Sequence, residues 1–230
     1  MSQLISIVVP VYNEARTVAE VIERLIAIDL PAPREILVVN DGSTDGTRGV
    51  LDQITQRSEL RIIHAEKNGG KGSAIRIGFA NATGTIVAIQ DADLELDPAQ
   101  LAELTQPIID GRSRVVYGSR FLAGRPDAPW LSIFANQVLT SVTNILFGGR
   151  LTDMETCYKV MTSPIAKSLN LESNRFDIEP EITAKLLRAG HTIVERPVHF
   201  EPRSRAQGKK IGWRDGFRAI QVLLKYRFSK

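Results

Sequence analysis

The chain has 230 residues and a formal net charge of +3, with 43% hydrophobic and 24% charged residues. That balance supports an ordinary buried core in one α/β-sized unit and excludes a disordered chain. One cysteine, Cys157, excludes an internal disulfide framework and a multi-cysteine zinc site; the Met1 region lacks a basic n-region with an apolar h-region, so a reduced, cytosolic protein is expected.

In chain order, the β-branched run at residues 4–11 predicts a buried strand. A helix is expected from about residue 13 to 29, with Val18, Val21, Ile22 and Leu25 at helical spacing and Pro31 beyond its end. A strand at 35–40 runs into the Gly-rich turn 41–46, followed by a helix at 47–57 and a strand at 61–65. The loop Lys67-Asn-Gly-Gly-Lys-Gly-Ser73 opens a helix that ends near Asn81, and the strand at 85–90 leads straight into Asp91-Ala-Asp93. Strict alternation predicts a mostly parallel, doubly wound sheet, on which ligands sit beyond the carboxyl ends of the strands. The polar clusters at 13–14, 41–45 and 91–93 all fall just there.

The second half reads differently. A strand at 114–117 ends in Gly118-Ser-Arg120, and residues 128–149 carry no charge. Within that stretch Ser132, Asn136, Thr140, Thr143 and Asn144 form a polar stripe at helical spacing, which a spanning helix would bury in lipid at high cost. A surface helix is expected, its apolar face on the core, a partner or a membrane. A helix at 176–189, a strand at 193–200, a basic loop at 201–210 and a last helix at 213–228 complete the pattern. Residues 201–230 carry nine Lys or Arg against two Asp or Glu, whereas residues 1–200 carry 20 against 24. A basic tail on a mildly acidic body suits an anionic ligand or membrane surface. It lacks the interleaved aromatics of a nucleic-acid platform, so nucleic acid is not an expected partner.

Several residue types carry chemistry. Asp91 and Asp93 put two hard oxygen donors at a strand end, suited to Mg²⁺ or Mn²⁺ shared with a phosphate, and Glu95 continues the alternation. Taken alone, D-x-D is equally a solvated acidic loop. Asp41 stands where such folds meet a base or ribose, although its turn favours Asp on backbone grounds alone. Asn40, Ser43 and Asp45 read as turn and cap residues. The Gly-rich loop at 68–73 lacks the first Gly of a P-loop, and no G-x-G-x-x-G follows the first strand; its helix start can still bind an anion, with Lys71 adding charge. His64, His191 and His199 stand apart, Cys157 reads as a core thiol, and no nucleophile elbow is present.

Pro10-Val-Tyr-Asn-Glu14, Asn40-Asp-Gly-Ser-Thr-Asp45, Asn68-Gly-Gly-Lys-Gly72 and Asp91-Ala-Asp93, in this order, resemble the GT-A-fold glycosyltransferases of family 2. Gly118-Ser-Arg120, residues 152–159, Phe176-Asp-Ile-Glu179 and Arg203-Ser-Arg205…Gly208-Lys-Lys210 are similar to the branch of dolichyl-phosphate mannose and glucose synthases. The resemblance implies a doubly wound, Rossmann-like GT-A domain over residues 1–200. A basic acceptor loop and amphipathic interfacial helix at 201–230 would belong to the same unit. It implies that Pro10, Tyr12 and Glu14 border the nucleotide, that Asp41 contacts its base, and that Lys71 and Asp91 also belong to the nucleotide site. Asp93, with Asp91 and Glu95, would hold the metal, and Arg120, Arg203, Arg205, Lys209 and Lys210 would face the acceptor phosphate or donor diphosphate. Asp91, Asp93, Arg120 and Arg205 are the catalytic set it implies. In this sequence Asn40 replaces an Asp common in relatives, Lys209 stands where many have Ser, and Glu95 where some have Gln.

The implied activity is inverting transfer of a hexose from a nucleotide sugar, such as GDP-mannose or UDP-glucose, to a polyprenyl phosphate. A phosphate acceptor is already largely a dianion at neutral pH and needs a cationic clamp rather than a general base. Transfer to a glycan hydroxyl, with Asp153 or Glu179 as base, and a non-catalytic nucleotide-binding scaffold are the rival readings. The last helix spaces Trp213, Phe217, Ile220, Leu224 and Phe228 along one side among Arg and Lys, an interfacial pattern with core packing as its rival. Peripheral association with the cytoplasmic face of a membrane is therefore expected. No hydrophobic anchor follows Lys230, which leaves room for a membrane-protein partner.

Overall fold

A computed structural model describes residues 3–55, 57–202 and 213–229, with side chains of the last segment described from Asp215 onward. The strands are β1 (Ile5–Val11), β2 (Arg34–Asn40), β3 (Leu60–His64), β4 (Ile86–Ile89), β5 (Val115–Ser119), β6 (Lys159–Thr162) and β7 (Val194–Pro197). The helices are α1 (Val18–Ala27), α2 (Thr47–Gln53), α3 (Lys71–Asn81), α4 (Leu101–Ile109), α5 (Trp130–Phe147), α6 (Ser163–Ser168), α7 (Ile178–Arg188) and α8 (Trp213–Phe228), with a 3₁₀ turn at Pro98–Gln100 before α4.

The strands form one sheet in the order β3-β2-β1-β4-β6-β5-β7. β1 lies parallel to β2 and β4, with Ile7 beside Ile36 and Ala88. The chain winds outward through β2 and β3, then returns to the other side of β1 as β4. That reversal makes the crevice beyond β1 and β4 the natural ligand site. β6 runs antiparallel between β4 and β5, whereas β5 and β7 are parallel.

Side-chain alternation builds the layers. Ile7, Val9, Ile36, Val38 and Ala88 pack with Val18, Ile22 and Leu25 of α1 and with Leu101 and Leu104 of α4. Val8, Leu37, Val87 and Ile89 face the opposite way, against Ile75 and Phe79 of α3 and Ile178 and Ile182 of α7. β1 is buried along its whole length, which is why it reads as an unbroken apolar run rather than an alternating one. Each fully buried Ile or Leu contributes about 1.5–3 kcal/mol. A third apolar cluster joins Leu139 of α5, Ala184 of α7 and Ala219, Leu223 and Tyr226 of α8.

Several elements differ from the expected pattern. α1 begins at Val18, because Asn13 adopts a left-handed conformation (φ 55°) and carries the chain through a loop first. β6, α4 and the short α6 were not expected: β6 is four residues long, α4 contains Pro107, and α6 is six residues long with Pro164 in its first turn. α5 is a surface helix as expected, but its polar stripe beyond exposed Ser132 is turned toward the domain. Asn136 donates to Asp153 at 3.0 Å, Thr140 accepts from the Met154 amide at 3.0 Å, and Asn144 exchanges two bonds of 2.8 Å with Leu151.

Candidate active site

A cleft of about 460 Å³ opens at the carboxyl edge of the sheet. Pro10, Val11, Tyr12 and Glu14 enter it from the end of β1, Asp41 from β2, and Asp91, Asp93 and Glu95 from β4; Arg120 follows β5. Because β6 is antiparallel, the residues that precede it reach this same edge, and Glu155 and Cys157 line the cleft. Arg175, Phe176 and Glu179 at the start of α7 and Phe200 beyond β7 close it.

The loops are tied together before any ligand arrives. The Asn13 amide donates to Ser43 Oγ at 3.0 Å, and the Thr44 amide donates to Asn13 Oδ1 at 2.8 Å. Asn40 Oδ1 accepts from the Ser43 amide at 3.1 Å and Asp45 Oδ1 from the Thr47 amide at 2.9 Å, the local turn and cap bonds expected of them. Asp41 holds the glycine-rich loop, accepting from the amides of Gly69 at 2.9 Å and Gly70 at 2.7 Å. Burial pushes the Asp41 pKa up, and those two bonds offset only part of the rise. Gly70, at φ 97°, packs against the backbone at Asn174, where a Cβ would collide with the carbonyl oxygen. Gly72 likewise sits against Ser173 and leaves no room for a side chain. The loop therefore uses its glycines to dock on the segment before α7, a packing role the motif does not announce.

The loop after β4 is braced from below. Buried Gln90 donates to the carbonyls of Asp91 at 3.0 Å and Leu96 at 3.2 Å, and Tyr158 Oη lies 2.7 Å from Gln90 Oε1. Asp93 Oδ1 accepts from the Glu95 amide at 3.1 Å. Asp91, Asp93 and Glu95 all line the cleft, and their hard carboxylate oxygens suit Mg²⁺ or Mn²⁺. Among the described residues no three metal-binding side chains gather into a ready-made cluster. An incomplete carboxylate set, finished by phosphate oxygens and water, is the ordinary way to hold Mg²⁺, so the donors fit such an ion.

Charges alternate across the floor. Lys71 Nζ lies 2.8 Å from Asp91 Oδ2 and 2.9 Å from Glu179 Oε1, and buried Lys159 reaches Glu179 Oε2 at 2.5 Å. Burial alone would raise the Glu179 pKa, but Lys159 and Lys71 outweigh it and hold the carboxyl below its usual range. Burial works against the Lys71 charge as well, yet Asp91 and Glu179 keep its pKa well above the ordinary value. Lys159 also donates to the carbonyls of Met154 and Thr156, closing the turn before β6. Arg120 forms a two-pronged pair with fully buried Asp153, Nε to Oδ2 and Nη2 to Oδ1, each at 2.7 Å. Its guanidinium lies 5.2 Å from the centre of the Phe200 ring.

Pro10, Tyr12, Glu14, Asp41, Lys71, Asp91, Asp93, Glu95 and Arg120, expected at the site from the sequence, all line one cleft. Arg203, Arg205, Lys209 and Lys210 lie outside the described residues. Cys157 is buried in the core as expected but also lines the cleft, with burial pushing its thiol pKa well up, which makes it an unreactive wall. Sequence reasoning included Glu155 and Lys159 in the motif at 152–159 but gave neither a role, because no spacing rule connects them to β4.

A family model for glycosyl transferase family 2 matches residues 6–163, more than half of the chain. The chain belongs to glycosyl transferase family 2. Among curated proteins it is 27% identical over 207 residues to glycosyltransferase AglD of Haloferax volcanii, covering 86% of this chain and 33% of that protein. It is 26% identical over 217 residues to dolichol-phosphate mannosyltransferase of Pyrococcus furiosus, covering 90% and 59% respectively. The chain thus spans about a third and three fifths of these two relatives. Its fold matches that of glucosyl-3-phosphoglycerate synthase from Mycobacterium tuberculosis, solved with Mn²⁺, uridine diphosphate and phosphoglyceric acid. The TM-score is 0.74 at 19% identity, covering 98% of this chain and 79% of that one. The mixed seven-stranded sheet with flanking helices is the GT-A fold.

Proposed function

We propose that this chain transfers a hexose from a nucleotide sugar to a polyprenyl phosphate at a membrane surface. Family membership and the polyprenol-linked relatives support the chemistry. The observation that carries the acceptor reading is the inverted orientation of α5. Its polar side is hydrogen-bonded to the domain, while Trp130, Leu131, Phe134 and Ile145 face outward, Ile145 at 82% exposure. On α8, Ala219, Leu223 and Tyr226 pack inward against the α5 and α7 cluster, so the stripe containing Phe217, Leu224 and Phe228 is outward too. Neighbouring helices with outward apolar side chains, and with Arg218 and Arg227 among the exposed residues, fit an anionic lipid surface. α5 has the length and composition to cross a bilayer, but its bonded polar side suits a position along the surface.

Within the cleft, Asp91 and Asp93 with Glu95 would hold Mg²⁺ or Mn²⁺ against the donor diphosphate. When bound, such an ion neutralises charge developing on the leaving group. The chain's own residues orient the donor: the loop held by Asp41 supplies backbone beside the nucleotide, and Lys71 brings a fixed positive charge to the start of α3. Arg120, held flat by Asp153, presents the remaining edge of its guanidinium to an anion. A phosphate acceptor requires no proton to be removed at the moment of attack. The carboxylates expected as bases for a hydroxyl acceptor are both committed, Asp153 to Arg120 and Glu179 to two lysines. Transfer to a glycan hydroxyl keeps one specific observation in its favour, the buried Oε1 of Glu155, which has no hydrogen-bond partner among the described residues.

The test is a transfer assay with GDP-mannose and UDP-glucose, Mn²⁺ and either a short polyprenyl phosphate or an oligosaccharide. Sugar appearing on the lipid phosphate, and lost on chelation, is expected; product only on the oligosaccharide, or donor hydrolysis alone, overturns the reading.

A further inference from the structure

We propose that Glu155 reads the hexose of the donor, accepting a hydrogen bond from a sugar hydroxyl and so setting which nucleotide sugar is retained. The inference rests on the nucleotide-sugar reading of the cleft and deepens it.

Glu155 lines the cleft wall with Asp91, Arg120 and Cys157. Its Oε1 is buried and has no hydrogen-bond partner among the described residues. Asp153, two residues earlier, is by contrast bound by Arg120 and Asn136, and Glu179 Oε1, which also lacks a hydrogen bond, has the Lys71 ammonium at 2.9 Å. A buried oxygen left without a donor costs the fold about 1–3 kcal/mol, a cost that a ligand hydroxyl can remove. Several groups face it: Glu179 from α7, Lys159 from β6, Arg120 beyond β5 and Asp153 in its own turn. None of these neighbours donates to its Oε1, and burial with the nearby Glu179 charge pushes its pKa up to about 7. A group kept close to neutrality tolerates the negative donor better than a full carboxylate would, and its oxygen remains an acceptor. Sites built around a buried polar atom discriminate strongly, since a sugar lacking the matching hydroxyl leaves that atom unpaired.

The experiment measures, in Mn²⁺ and without acceptor, how much tighter GDP-mannose binds than GDP and UDP-glucose than UDP. For the pair the wild type prefers, E155L is expected to lose about tenfold of that sugar increment while its affinity for the nucleoside diphosphate is unchanged. E155Q, which keeps an oxygen at the same place, is expected to retain the increment within about threefold. Should E155L fail to fold, E155A carries the same comparison. An unchanged increment in the apolar variant overturns the proposal, as does a wild type that binds the sugar forms no more tightly than the diphosphates. Loss of turnover with donor binding intact assigns Glu155 to proton removal instead and overturns it too. A wild type that binds neither diphosphate overturns the nucleotide-sugar reading along with it.

Discussion

The guanidinium of Arg120 is gripped by Asp153 through two parallel hydrogen bonds of 2.7 Å, and the same carboxylate accepts from Asn136 on α5 at 3.0 Å. One buried anion therefore fixes both a cation of the cleft and the helix whose apolar side faces outward. Asp153 is itself positioned by Glu195, which accepts from the amides of Thr152 and Asp153, the latter at 3.0 Å.

Replacing Asp153 with Ala should be costly. Removing one partner of a buried ion pair leaves an uncompensated charge, at about 3–5 kcal/mol. Urea denaturation of D153A should give a midpoint far below that of wild type. A loss under about 1 kcal/mol would mean the pair is as weak as an exposed one.

D93N should abolish sugar transfer by about 10²–10³-fold, the scale of losing one fixed group that stabilises developing charge. Asp93 lines the open cleft and is only partly buried, and Asn keeps its size, so the melting temperature should stay close to wild type. Transfer by D93N at the wild-type rate in saturating Mn²⁺ contradicts a metal role for this carboxylate.

Stability should fall as pH rises through the titration of Glu155. Its pKa is about 7 in the folded chain against an ordinary 4.5, so between these values the native state keeps a proton that the unfolded state has lost. The stabilisation is complete below the lower value and gone above the upper one, and it amounts to about 3 kcal/mol at most. Glu179, whose pKa is depressed, acts in the other direction and only at lower pH, since its contribution is lost as pH falls through its folded value. The difference between E155Q and wild type in urea midpoint isolates the first effect. It should change across pH 4.5 to 7, and parallel curves would refute it.

Phe134→Glu should weaken flotation with anionic vesicles about tenfold or more, since a buried Phe contributes about 1.5–3 kcal/mol. Phe134 points away from the domain at 58% exposure, so nucleotide binding should be unaffected. Wild-type flotation should weaken as salt rises, because the attraction of exposed basic residues is screened. Equal flotation of wild type and F134E would remove α5 from the membrane contact.

The parallel half of the fold was legible because each strand and helix there carries its own periodicity, and because loops after parallel strands share one edge. That alone places Glu14, Asp41, Asp91 and Asp93 at one edge. Boundaries shifted where a single backbone choice intervened, as at left-handed Asn13. β6 escaped notice because four residues, one of them a buried lysine, do not form a period. The outward stripe of α8 was readable from spacing, but whether it met the core or solvent depended on its other side, where Ala219, Leu223 and Tyr226 find partners.

By itself the sequence determined the alternating elements, the edge at which ligands meet the sheet and the family of the chain. The elements and the edge follow from local pattern, since apolar period and turn chemistry act over a few residues, whereas the family rests on the resemblance of its ordered motifs. Only the tertiary structure decided that β6 runs against its neighbours, which brings residues lying before a strand to the edge otherwise made by residues after one. That reversal sets Glu155 in the cleft wall and joins Lys159 and Glu179 to Lys71 and Asp91. Strand direction is a property of pairing over long separations, and no local window of the chain contains it.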